Sequence, residues 1–385
     1  MRIGNIWRSL ASGLVPPIGF VPEPIQDAAA RFCSYRGRIS RLSSLERVLT
    51  AIRHKEPDRV PVAPLVNAGA RRILGVSFPD YSRLPEKAAD VFTASVDFIG
   101  GDLIVLMLDL SVEAADFGQR VMYPEESTAH PDYSRPSIRR VDDYARVRPI
   151  PLSETRRMNN LIRLCEIMAG RMGLKTLVSG FVYGPLGVLS MMRGAQAFFL
   201  DCMHYPDQVK KACEAVTETL VAFAEAQCDA GVPAVTIDTL YASHSALPKK
   251  VWESLEGPFA REISRCIRKK GRLVGIHNCG HGIYFDAQIK WMEPQVISFA
   301  HLPDDCATPE EMKRRYGDAV TLVGYVPTPL LVQGTPRQVM DECRRQIDVL
   351  ARDGGFILAP GCEYPPNISF DSAFALVKAA ELSGR

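Results

Sequence analysis

From residue 42 onward, short apolar runs alternate with longer segments in which apolar residues recur every three or four positions. The first such segment has apolar residues at 45, 48, 49 and 52, the spacing of one buried helix face, with Ser43 or Ser44 as its N-cap. The same spacing predicts helices over 85–98, 153–172, 187–200, 206–230 and 248–270. Capping residues predict three more helix starts, at Thr308, Thr335 and Asp371.

The short apolar runs predict buried strands, which lie at 60–66, 102–107, 176–181, 234–238, 272–277, 295–300, 320–326 and 355–360. Uninterrupted apolar strands that alternate with amphipathic helices are typical of a parallel sheet covered on both faces. Seven or eight such units favour a closed (β/α)8 TIM barrel of the α/β class over an open doubly wound sheet. Neither GxGxxG nor GxxxxGK(S/T) follows an early strand, so the nucleotide-binding folds lack their signature.

Two segments depart from this pattern. Residues 1–43 show no sustained period and contain a basic run from Arg31 to Arg41, so we expect an N-terminal extension before a barrel domain at 44–385. This extension is either poorly ordered or an arm that packs on the barrel or on a second subunit. Residues 109–157 are rich in proline, tyrosine and charge, which predicts an insertion of short hairpins and loops.

Composition narrows the class of protein. The 385-residue chain has 46 lysines and arginines against 44 aspartates and glutamates, so a net charge of +2 favours neither nucleic acid nor an anionic membrane surface as a partner. No window holds the 18 uninterrupted apolar residues of a membrane helix. The ten cysteines are scattered, and most fall in helix-like stretches, as in proteins of a reducing compartment. We therefore expect a cytoplasmic enzyme.

Three potential metal ligands follow two of the predicted strands. His277 ends strand 272–277, Cys279 lies two residues further on, and Cys362 comes just after strand 355–360. Because the carboxyl ends of TIM-barrel strands carry the active site, we expect these side chains at one mouth. A Cys2His set binds zinc and leaves a fourth position for water or substrate, which is typical of a catalytic site. The alternative is that each is an ordinary buried or hydrogen-bonded residue.

Zinc chemistry indicates what such a site does. Bound zinc lowers the pKa of a thiol substrate, and the resulting thiolate is a methyl acceptor. As a Lewis acid, zinc would equally activate the heteroatom of a methyl donor. Hydrolysis by zinc hydroxide is a further alternative, but an electron-rich Cys2His set favours alkyl transfer.

The chain resembles the uroporphyrinogen decarboxylase superfamily, and within it the cobalamin-dependent methyltransferase branch that includes methylcobalamin:coenzyme M methyltransferases. The stretches that carry the resemblance are LSSLERVLTAIRHKEPDRVPVAP (42–64), GPLGVLSMMRGAQAFFLDCMHYPDQV (184–209), IHNCGHG (276–282), RRYGDAVTLVGYVPTPLLVQGTP (314–336) and GGFILAPGCEYPPN (354–367). The resemblance implies that His277, Cys279 and Cys362 bind zinc. It also implies a methylcobalamin or other corrinoid cofactor, which a partner corrinoid protein would carry because this chain has no DxHxxG motif.

Two alternatives to the methyltransferase remain open. A metal-free decarboxylase of porphyrinogens would carry an arginine-rich motif after the first strand, but VNAGARRI (66–73) has Arg71 and Arg72 without the Arg-x-x-Gly-Arg-Tyr pattern of those enzymes. A corrinoid-protein-binding subunit without turnover is the other alternative, and the complete ligand trio disfavours it. For a methyltransferase, the sequence leaves open whether the substrate is a thiol acceptor or a methoxy, methylamine or halomethane donor, and whether the protein forms a homodimer.

Three further residues are candidates for catalysis. Asp238 ends strand 234–238, where it would orient the substrate or accept a hydrogen bond from a ligand histidine. Glu363 follows Cys362 and is the second acidic candidate, unless it is a solvated loop residue. His301, at the end of strand 295–300, is a candidate fourth zinc ligand or substrate contact, or else a surface histidine.

The glycine-rich stretch GFVYGPLG (180–187) follows strand 176–181 at the predicted mouth. Glycine allows the backbone to approach a ligand closely, so we expect Tyr183 and Gly184 to contact the corrinoid or the substrate. Tyr241 is expected to line the same pocket. The alternative is a tight turn that leads into a helix.

Overall fold

The computed structural model describes residues 42–173 and 175–384. Its strands, in chain order, are β1 Leu103–Val105, β2 Val121–Met122, β3 His130–Pro131, β4 Leu177–Tyr183, β5 Ala234–Asp238, β6 Leu273–Asn278, β7 Val296–Phe299, β8 Thr321–Val326 and β9 Phe356–Pro360. Seven of them form one parallel sheet in the order β1-β4-β5-β6-β7-β8-β9. The strands β2 and β3 form a separate antiparallel pair.

The segment around Val62 closes the curled sheet into a barrel. The Ala63 N–H donates to Leu358 O on β9, the Leu358 N–H donates to Pro61 O, and the Asp102 N–H donates to Val62 O beside β1. Val62 therefore occupies the eighth position, between the last strand and the first. The prediction of a full strand at 60–66 is wrong, because only the Val62–Leu358 bridge forms. Proline has no backbone N–H to donate, and Pro61 and Pro64 flank the bridge.

Helices cover the outside of the sheet. They are α1 Ser44–Ile52, α2 Arg71–Leu74, α3 Phe78–Arg83, α4 Pro85–Phe98, α5 Val112–Asp116, α6 Arg157–Met172, α7 Pro185–Arg193, α8 Ala195–His204, α9 Pro206–Asp229, α10 Lys249–Leu255, α11 Gly257–Lys269, α12 Phe285–Met292, α13 Pro309–Tyr316, α14 Thr328–Gln333, α15 Pro336–Leu350 and α16 Asp371–Leu382. The predicted (β/α)8-type barrel of the α/β class is confirmed.

Two of the predicted helices are each interrupted. The segment 187–200 divides at Gly194, whose φ of 89° is left-handed and cannot continue a helix. The segment 248–270 divides at Glu256, immediately before Gly257 and Pro258 begin α11. In contrast, the helix predicted over 85–98 has those bounds in the structure.

Helix α1 closes the floor of the barrel. Its buried residues Leu45, Val48 and Ala51 pack in one apolar cluster with inward-facing strand residues such as Leu103, Leu177, Ala234, Val323 and Ile357. The predicted N-cap is Ser43, which exchanges hydrogen bonds with Glu46 in a capping box. Within the described residues, α1 thus plugs the barrel at the amino ends of its strands.

The segment 109–157 interrupts the alternation, as predicted. It contains the short helix α5, the two-residue pair β2–β3 and 3-10 turns at 141–146 and 152–154. The Gln119 side chain joins the two arms of the β-pair by donating to the carbonyl groups of Arg120 and Asp132.

The N-terminal extension lies largely outside the described residues, so the division at residue 43 stays a prediction. The cysteines predicted to lie in helices do so, namely Cys165, Cys202, Cys213, Cys228, Cys266 and Cys343. All nine cysteines in the described part of the chain are free thiols. Within the same ranges, no helix has the length and apolar character needed to cross a membrane.

Candidate active site

The three predicted ligand residues meet at the mouth of the barrel. His277 is the penultimate residue of β6, Cys279 follows that strand, and Cys362 follows β9. One nitrogen of His277 and the two Sγ atoms all lie within 4.8 Å of one another. The two strands are not neighbours in the sheet, since β7 and β8 separate them. The curvature of the barrel therefore brings the ligands together.

Local interactions hold the two loops that carry the thiols. The Asn278 side chain accepts a hydrogen bond from the Gly280 N–H at 2.8 Å and donates to Thr239 O at 2.7 Å, which fixes the turn around Cys279. At Gly361 a Cβ atom would lie 2.8 Å from Ala300 Cα. Only glycine lets the chain pass this close to β7 before it reaches Cys362.

Ser298 orients the imidazole of His277. The two residues are paired in register on the adjacent strands β6 and β7, and Nδ1 of His277 lies 3.0 Å from Oγ of Ser298. A hydrogen bond at Nδ1 leaves Nε2 as the nitrogen for a metal. This is the usual arrangement of a ligand histidine, whose second nitrogen is held by a neighbouring polar group.

The two thiols differ in electrostatic environment. The hydrogen bond from Cys279, together with the neighbouring His277, lowers the pKa of Cys362 well below its ordinary value. The same hydrogen bond and burial raise the pKa of Cys279. Burial opposes the charged form of His277, but its hydrogen bond with Cys362 and the charge of Asp238 raise its pKa overall. The site therefore favours a thiolate at Cys362, the form that binds metals.

Asp238 lies beside these ligands. It is in register with His277 across β5 and β6, and its side chain is buried. Burial raises the pKa of Asp238 to about 6, the charge of Cys362 adds to the effect, and His277 opposes it. Among the described residues, Oδ1 of Asp238 has no hydrogen-bond partner. A buried carboxylate oxygen without a partner is available to a ligand in the barrel mouth.

Glu363 lies on the opposite side of the mouth and lines the same cavity. Burial raises the pKa of Glu363 to about 8, and the charge of Cys362 contributes, while hydrogen bonds with the Ala68 backbone and the Asn67 side chain oppose the shift. The 3-10 turn 67–70 thus holds this carboxyl group in place.

The predicted ligand-contacting residues of the glycine-rich stretch are packed into the protein. Tyr183 is buried, its ring lies against Gly187, and its N–H donates to Glu113. A Cβ at Gly184 would lie 2.6 Å from Oε1 of Glu256, so glycine is explained by packing at this position.

Two other candidates lie apart from the three ligands. Tyr241 packs against the rings of Phe198 and Phe199, and neither it nor Tyr183 lines the cavity below the ligands. His301 stacks on His281 with ring centroids 3.6 Å apart, and its imidazole is not part of the three-atom cluster.

Sequence reasoning missed Ser298 and Asn67. Ser298 is the only hydroxyl residue in the apolar run 295–300, which is a weak signal, and its role follows from the register of β7 beside β6. Asn67 belongs to a 3-10 turn far from Glu363 in the sequence. No sequence pattern near either residue indicates the contact between Asn67 and Glu363.

A cavity of about 150 Å³ extends from the ligands into the barrel. Most of its lining residues are apolar, and the others besides the three predicted ligands include Asn67, Thr236, Asp238, Ser298 and Glu363. The lining residues are Leu65, Asn67, Leu103, Val105, Met107, Leu110, Phe181, Thr236, Asp238, Leu240, Gly275, Ile276, His277, Cys279, Val296, Ser298, Val323, Cys362 and Glu363.

The arginines that follow the first predicted strand do not line this cavity. Arg71 stacks on the Phe78 ring at 3.7 Å and donates to Asn367. Arg72 lies over the Phe370 ring and donates to the backbone carbonyl groups of Gly69 and Ile368.

Comparison with known proteins places the chain in a family. The family model "Uroporphyrinogen decarboxylase (URO-D)" matches residues 43–382. The chain therefore belongs to the uroporphyrinogen decarboxylase family, as its sequence motifs predicted.

The relatives include both methyltransferases and decarboxylases. The methylcobamide:CoM methyltransferase MtaA of Methanosarcina barkeri is 22% identical over 338 residues, which cover 87% of this chain and 96% of that protein. A uroporphyrinogen decarboxylase of Anaeromyxobacter dehalogenans is 28% identical over 246 residues, covering 58% and 68% of the two chains. The solved structure of a methyltransferase from Methanosarcina mazei has the same fold, with a TM-score of 0.74, 19% identity and coverage of 88% and 98%.

Proposed function

We propose that this member of the uroporphyrinogen decarboxylase family is a zinc-dependent methyltransferase. It moves a methyl group between a corrinoid, carried by a partner protein, and a small molecule bound at the barrel mouth. The observation that carries the proposal is the convergence of His277, Cys279 and Cys362 above a small cavity. The likeness to the M. barkeri methyltransferase over 96% of that protein supports it.

The donor set fits zinc. A tetrahedral ion with Zn–S of about 2.3 Å and Zn–N of about 2.0 Å has ligand atoms roughly 3.5–3.8 Å apart. The three ligand atoms lie within 4.8 Å of one another, so small side-chain rotations bring them to that spacing. Three protein ligands leave one coordination position for the substrate. Zinc at this position supplies Lewis acidity, which lowers the pKa of a thiol or polarises the bond between a heteroatom and its methyl group.

The residues of the chain supply the remaining functions. Ser298 holds Nδ1 of His277 and so fixes the direction of its ring. Oδ1 of Asp238 is positioned to accept a hydrogen bond from the substrate heteroatom, because it is buried beside the ligands without another partner. The apolar walls keep water from the transferred group.

Decarboxylation of a porphyrinogen is disfavoured by two observations. The space inside the barrel, about 150 Å³, is close in size to engineered cavities that hold a single benzene molecule, so a tetrapyrrole would have to lie largely outside it. The two arginines nearest the position of the decarboxylase motif, Arg71 and Arg72, do not line the cavity. The remaining parts of the proposal, a partner corrinoid protein, a cytoplasmic location and candidate roles for Glu363 and His301, rest on the family resemblance and the residue chemistry.

Metal analysis and methyl transfer test the proposal together. We expect about one zinc ion per wild-type chain, lost in Cys279→Ser and in Cys362→Ala. We also expect that a mixture with methylcobalamin and a small thiol loses the methylcobalamin absorbance in the wild type and not in the two variants. Cys266→Ser is the matched control, because Cys266 lies on α11 away from the mouth and its thiol donates only weakly to Val221 O. Full turnover in Cys362→Ala would refute the assignment.

A further inference from the structure

The walls of the active-site cavity are mainly apolar. Below the ligands it is bounded by aliphatic and aromatic side chains on several strands, among them Leu103, Val105, Phe181, Val296 and Val323. Leu103 and Val323 also belong to the cluster through which α1 closes the floor, and Val105 and Val296 pack against it. A ligand that reaches the metal position must therefore place the rest of its atoms against apolar groups.

Among the described residues, two carboxyl groups and no lysine or arginine line this cavity. The carboxyl groups belong to Asp238 and Glu363. Two thiolates, a neutral imidazole and a divalent ion sum to zero charge, so the ligand set contributes no net positive charge for a second anionic group of the substrate. Burying an isolated charge without a partner is strongly unfavourable. An anionic tail on the substrate would meet this penalty here.

The volume sets a further limit on the substrate. At about 150 Å³ the cavity accommodates, inside the barrel, a group of roughly the six non-hydrogen atoms of benzene. One of these atoms must be the heteroatom that reaches the ligands. The remaining atoms form a short aliphatic or small cyclic group.

We infer that the small-molecule substrate carries no anionic group and is mainly apolar, with one heteroatom at the metal position. This inference rests on the proposed methyltransferase function and names its substrate class. The charge of the cavity lining is therefore unfavourable for sulfonated and carboxylated substrates.

Three thiols that share the group HS–CH2–CH2– test the inference. They are 1-propanethiol, 2-aminoethanethiol and 2-mercaptoethanesulfonate, which end in a methyl, an ammonium and a sulfonate group. Each is titrated calorimetrically into the zinc-loaded full-length protein. We expect 1-propanethiol to bind with a dissociation constant at least about tenfold lower than that of 2-mercaptoethanesulfonate. The ammonium group of 2-aminoethanethiol faces the carboxyl groups of Asp238 and Glu363, so this thiol should bind more tightly than the sulfonate. Binding of the sulfonate as tight as that of 1-propanethiol or tighter, or failure of all three to bind at millimolar concentration, would overturn the inference.

A charge inserted at the cavity rim separates the effect of the walls from differences among the thiols themselves. Leu110 lines the cavity and is 36% exposed, so a lysine fits there without entering the core. We expect Leu110→Lys to improve binding of the sulfonate about tenfold relative to 1-propanethiol, and the neutral Leu110→Gln to leave the ratio unchanged. A ratio that does not respond to the lysine contradicts the inference.

Methyl transfer distinguishes failure of the inference from failure of the proposed function. If 1-propanethiol binds preferentially but takes no methyl group from methylcobalamin, the methyltransferase proposal fails and the assignment of the cavity stands. If 2-mercaptoethanesulfonate binds preferentially and is methylated, the function stands and the substrate class is wrong.

Discussion

Replacing Ser298 with alanine is expected to weaken zinc binding without unfolding the barrel. The hydroxyl lies 3.0 Å from Nδ1 of His277, and the two residues are in register on neighbouring strands. Removing it frees the imidazole to rotate and leaves Nδ1 without the partner that fixes its tautomer. Loss of such an outer partner typically costs ten- to hundredfold in metal affinity, or about 1.4–2.7 kcal/mol.

Competition with a chromophoric chelator at neutral pH measures this affinity, and thermal unfolding of the metal-free protein measures stability. Ser179→Ala is the matched control, because that serine is buried on β4 and its hydroxyl bonds only with Gly180 O and Thr236 Oγ1. We expect lower zinc affinity in Ser298→Ala alone, with unfolding temperatures close to that of the control. Equal zinc affinities for the two variants would refute the role given to Ser298.

Two further predictions concern backbone packing and a buried acid. Gly361→Ala places a Cβ 2.8 Å from Ala300 Cα, so we expect about 1–3 kcal/mol of destabilisation in urea unfolding. Because the same contact displaces Cys362, we also expect a reduced zinc content in metal analysis. Wild-type stability together with wild-type zinc content would contradict this prediction. Burial raises the pKa of Glu113 from 4.5 to about 8. Folding therefore favours its protonated form, and the resulting stability is present below pH 4.5 and is lost as the pH rises through 8. Glu113→Gln, which keeps the acceptor for the Tyr183 N–H, should gain stability relative to the wild type across this range, and parallel pH profiles would refute the assignment.

The order of the strands and helices could be predicted from the sequence because it depends on the local spacing of apolar residues. The apolar runs at 234–238 and 355–360 and the helical spacing at 85–98 reflect burial of side chains within a few residues of one another, and so does the capping box at Ser43. The strand predicted around Val62 failed for an equally local reason, because the flanking prolines remove the N–H groups that a ladder needs.

The candidate ligands were also predictable, although their geometry was not. Side chains that follow parallel strands gather at one end of a barrel, so His277, Cys279 and Cys362 were expected together from sequence alone. Tyr183 and Tyr241 show the limit of this reasoning, because proximity to a strand end does not decide whether a side chain faces the mouth or the packed layer behind it.

The partners of the candidate ligands and the shape of the cavity depend on pairings between distant segments, which only the tertiary structure shows. Register across β6 and β7 places Ser298 on His277, and register across β5 and β6 places Asp238 beside it. The size and charge of the cavity arise from inward-facing residues of several strands and from α1 beneath them. The sequence by itself determined the barrel, its order of elements and the chemistry of its candidate metal ligands, because these follow from short-range patterns. The partners of those ligands and the space available to a substrate follow from long-range packing, which no local pattern encodes.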